Sequence, residues 1–425
     1  MGNPIAGIAA NRTSEGMKVD TMRRIDRYAG VPLCAIASVL VRLWSLLPRS
    51  PRPVQRVLFI ELSEMGTTVL AQPAMRKARE QLGAELFFLI FKRNVAALDL
   101  LGMFPPANVF TIRDTSIFHL AWDVLSFLFW AWRRRIDTVV EFELFSRLTA
   151  LLTGFSGADR RVGFDRFHYE GLYRGSMLTH RVTYNPHQHI SKNLIALVDA
   201  LLVAEPQLPY SKTVIGDDQL TMSIPRPSAA ACDAVAVRIR ALAPDFDPAR
   251  QRLVLINPNT SQMLPQRRWM PERYAELIRR ILATHADVVV LITGSPDERE
   301  EAVALASGCG ARCIAFAGHT GLGDLSALYA LSSVIVTNDS GPGHFAAPTG
   351  LPTVVLFGPE TPTLYLPLGN ARAIYAGLAC SPCVSAFNHR KTACTDNVCM
   401  KAISVEQVLA AVTDILSDPR QARRA

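Results

Sequence analysis

Short apolar, β-branched runs alternate with helical stretches along this chain, stop, and then alternate again. In the first series, residues 57–62, 86–91, 108–112 and 136–142 read as strands, with helices at 68–82, 95–101 and 117–135. In the second, strands fall at 253–256, 288–292, 313–316, 334–336 and 353–357, separated by helices such as 271–283. Strand-helix alternation builds parallel βαβ units, and strands that are apolar throughout belong to a parallel sheet covered on both faces. The expected fold class is α/β, with two doubly wound, Rossmann-like domains facing a cleft. The domains are expected at 55–215 and 251–402, joined by a Pro-rich, polar linker at 216–250 and followed by a C-terminal helix and tail at 403–425. Such sheets bind ligands at the carboxyl ends of their strands, although the fold alone names no reaction.

Residues 1–54 are set apart by charge. The chain carries a net +8, and its first 56 residues hold nine Lys or Arg against three Asp or Glu. A nucleic-acid binder spreads basic residues over a folded face, so this concentration speaks for a membrane-facing N-terminus and against a nucleic-acid partner. The apolar stretch 31–47 places Ser38, Arg42, Ser45 and Arg49 on one helical face and Leu33, Ile36, Val39, Leu40, Leu43, Trp44 and Leu47 on the remainder. That pattern describes an amphipathic helix lying on an anionic membrane surface; a short transmembrane anchor and a soluble packed helix are the alternatives. The stretch lies too far in for a secretory signal, and Ala6 stands where N-myristoylation needs Ser or Thr. The expected location is the cytoplasm, peripheral on the inner face of the cytoplasmic membrane, where thiols stay reduced. Cys380, Cys383, Cys394 and Cys399 form C-x2-C-x10-C-x4-C, which leaves open a zinc site or reduced structural cysteines.

Three segments carry chemistry. Residues 334–350 run from a strand through Asn338, Asp339, Ser340, Gly341, Pro342, Gly343 and His344 into a helix. Glycines there let the backbone approach a ligand, and a helix start offers N–H groups to an anion such as a diphosphate; Asp339 and Ser340 as mere caps is the plainer reading. The strand-turn 352–362 leads to the same sheet edge. At 255–269 a strand opens into a loop with Thr260, Ser261, Arg267, Arg268 and Trp269, where hydroxyls and guanidinium groups suit phosphate; paired arginines on a solvated loop are the alternative. The third segment, 59–68, is a strand followed by the turn at Gly66 and a helix.

In this order the segments resemble glycosyltransferase family 9, the lipopolysaccharide heptosyltransferases. The family's Ile-Lys-x-Ser-x-Leu-Gly-Asp is similar to Ile60-Glu-Leu-Ser-Glu-Met-Gly-Thr67, its Arg-x-Gly-Phe to Arg161-Val-Gly-Phe164, and its Lys-Arg-Trp to Arg267-Arg-Trp269. Its Asn-Asp-Ser-Gly-Pro-Met-His matches Asn338 to His344 with Gly343 for Met, and a Cys-rich stretch ending in Cys-Met recurs at Cys399-Met400. The resemblance implies a GT-B fold and inverting, metal-independent transfer, with no cofactor, of a sugar, a heptose from ADP-heptose, from a nucleotide-sugar donor to a lipid-linked saccharide acceptor. It implies a phosphate-binding role for Arg267, sugar contacts for Asp339, and a donor pocket completed by Thr260, Ser261 and residues 340–344. The family's presumed base, an aspartate, falls on Thr67, a hydroxyl that cannot accept the acceptor's proton near neutral pH. Glu64 on the same loop is the expected replacement, with Glu61 as second candidate. An inactive homologue that binds nucleotide sugar or acts as a membrane scaffold is the competing reading.

Overall fold

The structure, a computed structural model, describes residues 19–46, 52–167, 173–261, 264–388 and 390–418. The first sheet contains β1 (Arg56–Ile60), β2 (Glu85–Phe91), β3 (Val109–Ile112), β4 (Thr138–Glu141), β5 (Arg160–Asp165) and β6 (His180–Thr183), in the order β3-β2-β1-β4-β5-β6. The second contains β7 (Arg252–Asn257), β8 (Val288–Ile292), β9 (Cys313–Ala315), β10 (Ser332–Asn338), β11 (Thr353–Phe357) and β12 (Ala371–Tyr375), in the order β12-β11-β10-β7-β8-β9. Every pairing is parallel. The central strands are buried on both faces, as their unbroken apolar sequences require. In each sheet the chain order reverses between two neighbours, β1 and β4 in one, β7 and β10 in the other. A crevice opens beyond the carboxyl ends of such a pair, so the loops after Ile60 and Asn338 are where a ligand belongs.

Three strands went unread in the sequence. β5 and β6 begin with Arg160, Arg161, His180 and Arg181, and β6 and β12 are sheet edges that stay half-exposed, so none shows a continuous apolar run. The helix expected at 68–82 is two helices, Met65–Leu70 and Gln72–Leu82, broken at Ala71 because Pro73 can only stand in the first turn of the second. Within 216–250 the helix Ala229–Leu242 buries Val235 and Ile239, and Arg238 pairs with Asp324 at 2.7 Å.

The N-terminal helix Gly30–Ser45 docks by its small residues. Cys34 and Ala37 are buried against the helix Arg147–Phe155, and the Ser38 hydroxyl accepts from the Ser176 N–H at 2.7 Å. Large side chains, Leu33, Ile36, Val39, Leu40, Leu43 and Trp44, point outward and are about half-exposed. Arg49 and Leu47 lie outside the described residues. Among the described residues no helix is long and apolar enough to cross a membrane.

Candidate active site

The C-terminal wall of the cleft is organised by one buried amide. Asn338, the last residue of β10, donates through Nδ2 to the Pro258 carbonyl at 2.8 Å. Its Oδ1 accepts from the Trp269 N–H and the Tyr274 hydroxyl, both at 3.1 Å. The loop after β7 is thereby clamped against the turn at Asp339, which aims Arg267 at that turn. Arg267 Nε lies 3.3 Å from Asp339 Oδ2, and Nη2 lies 3.7 Å from Glu360 Oε1. Arg268 turns away to Glu301, and Trp269 is core. Thr260 is half-buried and Ser261 exposed.

Ser340 stands at the N-cap position of a helix of only six residues, Gly341–Ala346, but its side chain makes no capping hydrogen bond. Pro342 has no N–H, and that of Gly343 already donates to the Ser340 carbonyl at 3.2 Å. Of these four residues, Ser340 and Gly341 remain to offer an N–H to an anion. His344 is buried, and that burial pushes its imidazole down to about 4, so it is neutral at physiological pH. A Cβ on Gly66 would sit 2.8 Å from His344 Cδ2. His344 is thus one point at which the two lobes touch, and Gly66 is glycine because a Cβ there would force the imidazole to shift.

The N-terminal wall holds the sequence-derived carboxylates in opposite states. Glu61, just past β1, is almost fully buried. That burial, then Glu143 and Glu64 nearby, holds its carboxyl well above the usual range. Burial also acts to raise Glu64, but the Arg390 guanidinium and the Thr67 hydroxyl outweigh it, and Glu64 sits below the usual range. Thr67 Oγ1 donates to Glu64 Oε2 at 2.7 Å, while Glu64 Oε1 pairs with Arg390. The Glu64 carboxylate therefore lies within one hydrogen bond of the side chain at position 67.

Two residues the sequence reading did not assign complete the site. Glu360 follows β11 and is 1% exposed; its Oε1 accepts no hydrogen bond among the described residues and lies 3.9 Å from Arg390 Nε. Burial raises its carboxyl to about 7, with Arg390 and Arg267 pulling the other way. Arg390, in the loop after β12, donates to the Tyr365 hydroxyl at 2.8 Å and stacks over that ring at 5.2 Å. A chain of alternating charge thus runs across the cleft: Asp339, Arg267, Glu360, Arg390, Glu64. Glu360 stood in a turn already singled out, but nothing local marks Arg390 as the partner of a residue in the other lobe.

Beside this chain opens a cavity of about 640 Å³ that reaches Glu61, Glu64, Thr67 and Arg390. It has room for a ligand of several rings. Cys380, Cys383, Cys394 and Cys399 are free thiols, and among the described residues no three His, Cys, Asp or Glu side chains converge as a metal ion would need. Cys399 packs into the core and Cys380 is exposed; burial first, and then the neighbouring Cys383, Cys394 and Cys380, raise the Cys399 thiol.

The profile of Glycosyltransferase family 9 (heptosyltransferase) matches residues 146–393, more than half the chain. The chain belongs to glycosyltransferase family 9. Among its relatives, lipopolysaccharide heptosyltransferase 2 of Salmonella typhimurium is 35% identical over 133 residues, 31% of this chain and 38% of that protein. The Escherichia coli counterpart is 37% identical over 113 residues, 26% and 32% of the two chains. These alignments span only about a third of the relatives' length. The structure of E. coli ADP-heptose LPS heptosyltransferase II superposes with a TM-score of 0.63 at 20% identity, covering 85% of this chain and 98% of that one. A family 9 glycosyl transferase from Veillonella parvula gives 0.64 at 18% identity, covering 86% and 98%. The family 9 fold, GT-B, is therefore the one built here from two parallel six-stranded sheets.

Proposed function

We propose that this chain is an inverting, metal-independent glycosyltransferase that moves a heptose from ADP-heptose to a lipid-linked saccharide acceptor of the lipopolysaccharide type. The observation that carries the reading is the charged chain from Asp339 to Glu64, which sets a cation for a diphosphate opposite an ionised carboxylate. The acceptor oxygen attacks the anomeric carbon as the bond from that carbon to the diphosphate oxygen breaks. Arg267 and the N–H groups of Ser340 and Gly341 take up the charge that develops on the leaving diphosphate. Asp339 holds sugar hydroxyls. The acceptor's proton passes to Glu64, whose carboxyl Arg390 and Thr67 hold below the usual range, whereas Glu61, held well above it, is the poorer acceptor. Thr67 orients the Glu64 carboxylate through its hydroxyl. The name of the E. coli neighbour, an ADP-heptose enzyme, supports the donor, and the lipopolysaccharide relatives support the acceptor. The outward apolar face of the helix Gly30–Ser45 supports a peripheral position on the cytoplasmic face of an anionic membrane.

The test is calorimetric titration with ADP, UDP and GDP, followed by mass spectrometry of acceptor lipid incubated with ADP-heptose. Tightest binding of ADP together with a heptose mass increment is expected; preference for another nucleotide overturns the donor. One observation favours a second reading: position 67 offers a hydroxyl where the family has a carboxylate. A wild-type protein that binds ADP-heptose yet transfers to no acceptor extract would make it a nucleotide-sugar-binding scaffold.

A further inference from the structure

The helix Ile117–Arg133 carries five large apolar side chains on its outer face: Phe118, Trp122, Leu125, Phe129 and Trp132, between 58% and 83% exposed. They recur at alternating intervals of four and three residues, which keeps them in one stripe, while Asp123, Phe127 and Ala131 face the sheet. Isolated exposed apolar residues are ordinary on a protein surface, but a continuous row of this size marks an interaction site. A second exposed apolar row lies on the helix Gly30–Ser45, and the helix Arg147–Phe155 touches both elements. It packs on Cys34 and Ala37 of one, and its Phe155 carbonyl accepts from Trp132 Nε1 of the other at 3.0 Å.

Charge on this face is one-sided. Asp26 and Asp123 are turned inward, to Arg147 at 2.8 Å and Arg113 at 2.6 Å. Among the described side chains of the helices Val19–Tyr28, Gly30–Ser45 and Ile117–Arg133, the exposed charged ones are Arg24, Arg27, Arg42 and Arg133, and exposed Arg135 follows. The cavity that reaches Glu64 is lined by Leu33 from one apolar helix and Leu120 from the other.

We propose that Ile117–Arg133 is a second membrane-inserting helix, its aromatic row entering the headgroup-acyl boundary of an anionic bilayer beside Gly30–Ser45, so that the cavity opens at the lipid surface between the two. The proposal rests on the lipid-linked acceptor reading. Trp and Phe on the apolar side with arginine at the edges is the composition of a helix lying in a bilayer interface. A second copy of the chain fits less well. The four-three spacing would suit a helical partner, but such seams are flanked by charged pairs that choose it, and here the flanking His119, Leu120, Ala121, Val124 and Ser126 carry no such pattern.

The experiment uses the full chain and vesicles of three parts phosphatidylethanolamine to one part phosphatidylglycerol. The double variant Trp122→Ser/Phe129→Ser alters exposed positions, so its melting temperature and ADP affinity should match wild type. In flotation, its partition onto vesicles should fall at least about tenfold, because interfacial binding scales with the apolar area inserted. Brominated acyl chains should quench wild-type tryptophan fluorescence, and a Trp122→Phe variant should lose part of that quenching. Unchanged partition in a folded double variant overturns the proposal. So does light scattering that shows a wild-type dimer, without lipid, which the double variant reduces to monomer. Vesicle binding that depends on Trp122 and Phe129, in a wild-type protein that transfers no sugar to any acceptor, would uphold the docking face and sink the transferase reading.

Discussion

Replacing Glu360 by Gln should flatten the response of stability to pH around neutrality. Glu360 is buried, and its carboxyl is raised to about 7 from an ordinary 4.5. A carboxyl raised on folding contributes stability that is fully present below its unfolded pKa and is lost as pH rises through its folded value. Linkage over those two values makes the wild type about 2.5 kcal/mol less stable at about pH 8 than at about pH 5 on account of this one group. A glutamine cannot ionise, so the difference in unfolding free energy between variant and wild type should move toward the variant by that amount across the interval. Urea unfolding at a series of pH values reads it directly, provided the slopes agree. The same substitution bears on the donor. As Glu360 ionises, it competes for Arg267 and Arg390, so affinity for ADP should decline above about pH 7 in the wild type and hold level in the variant. Parallel stability curves for the two proteins would refute the reasoning, since Glu360 would then titrate as an ordinary carboxylate.

Arg267→Ala should weaken ADP binding by roughly 10- to 150-fold, the equivalent of about 1.5 to 3 kcal/mol for a charge-assisted contact, with the melting temperature preserved; calorimetry giving wild-type affinity would remove Arg267 from the phosphate site. Glu64→Gln should reduce turnover by about 10² to 10⁴-fold while ADP affinity stays nearly constant, as expected for loss of a positioned base. Glu61→Gln, at a carboxyl that burial holds well above the usual range, should retain turnover near neutral pH, and a large loss there would move the proton acceptor to Glu61.

The central strands were legible because burial on both faces demands an apolar run through the middle of each strand, and β7, β8, β10 and β11 carry one at 253–256, 288–292, 334–336 and 354–357. The edge strands β6 and β12 escape the same test, since one flank of each meets solvent and tolerates His180 or Arg372. Periodicity placed a helix over this stretch, with Ser38 and Arg42 on one face, but not which face the body takes: Ser38 meets it and Arg42 is exposed. Small residues at Cys34, Ala37 and Ser38 permit close docking, a property of shape rather than hydropathy. In the site, Asp339, Arg267 and Glu64 lay in segments whose strand-loop pattern announces a ligand edge. Arg390 lay in a cysteine-rich loop whose composition suggested metal, and its pairing with Glu64 exists only once the lobes face each other.

The contact between Gly66 and His344 fixes how narrow the cleft can become. With 2.8 Å between the imidazole and the place a Cβ would occupy, the lobes already meet at that point, so further rotation must pivot there rather than shorten it. A single methyl group, Gly66→Ala, would act as a shim: it would tilt one lobe outward and stretch the Arg390 bridge to Glu64 while leaving each lobe's own packing intact. At this contact the approach of the lobes is limited by the absence of one side chain, and small-angle scattering of the alanine variant would measure its return as an increase in radius of gyration.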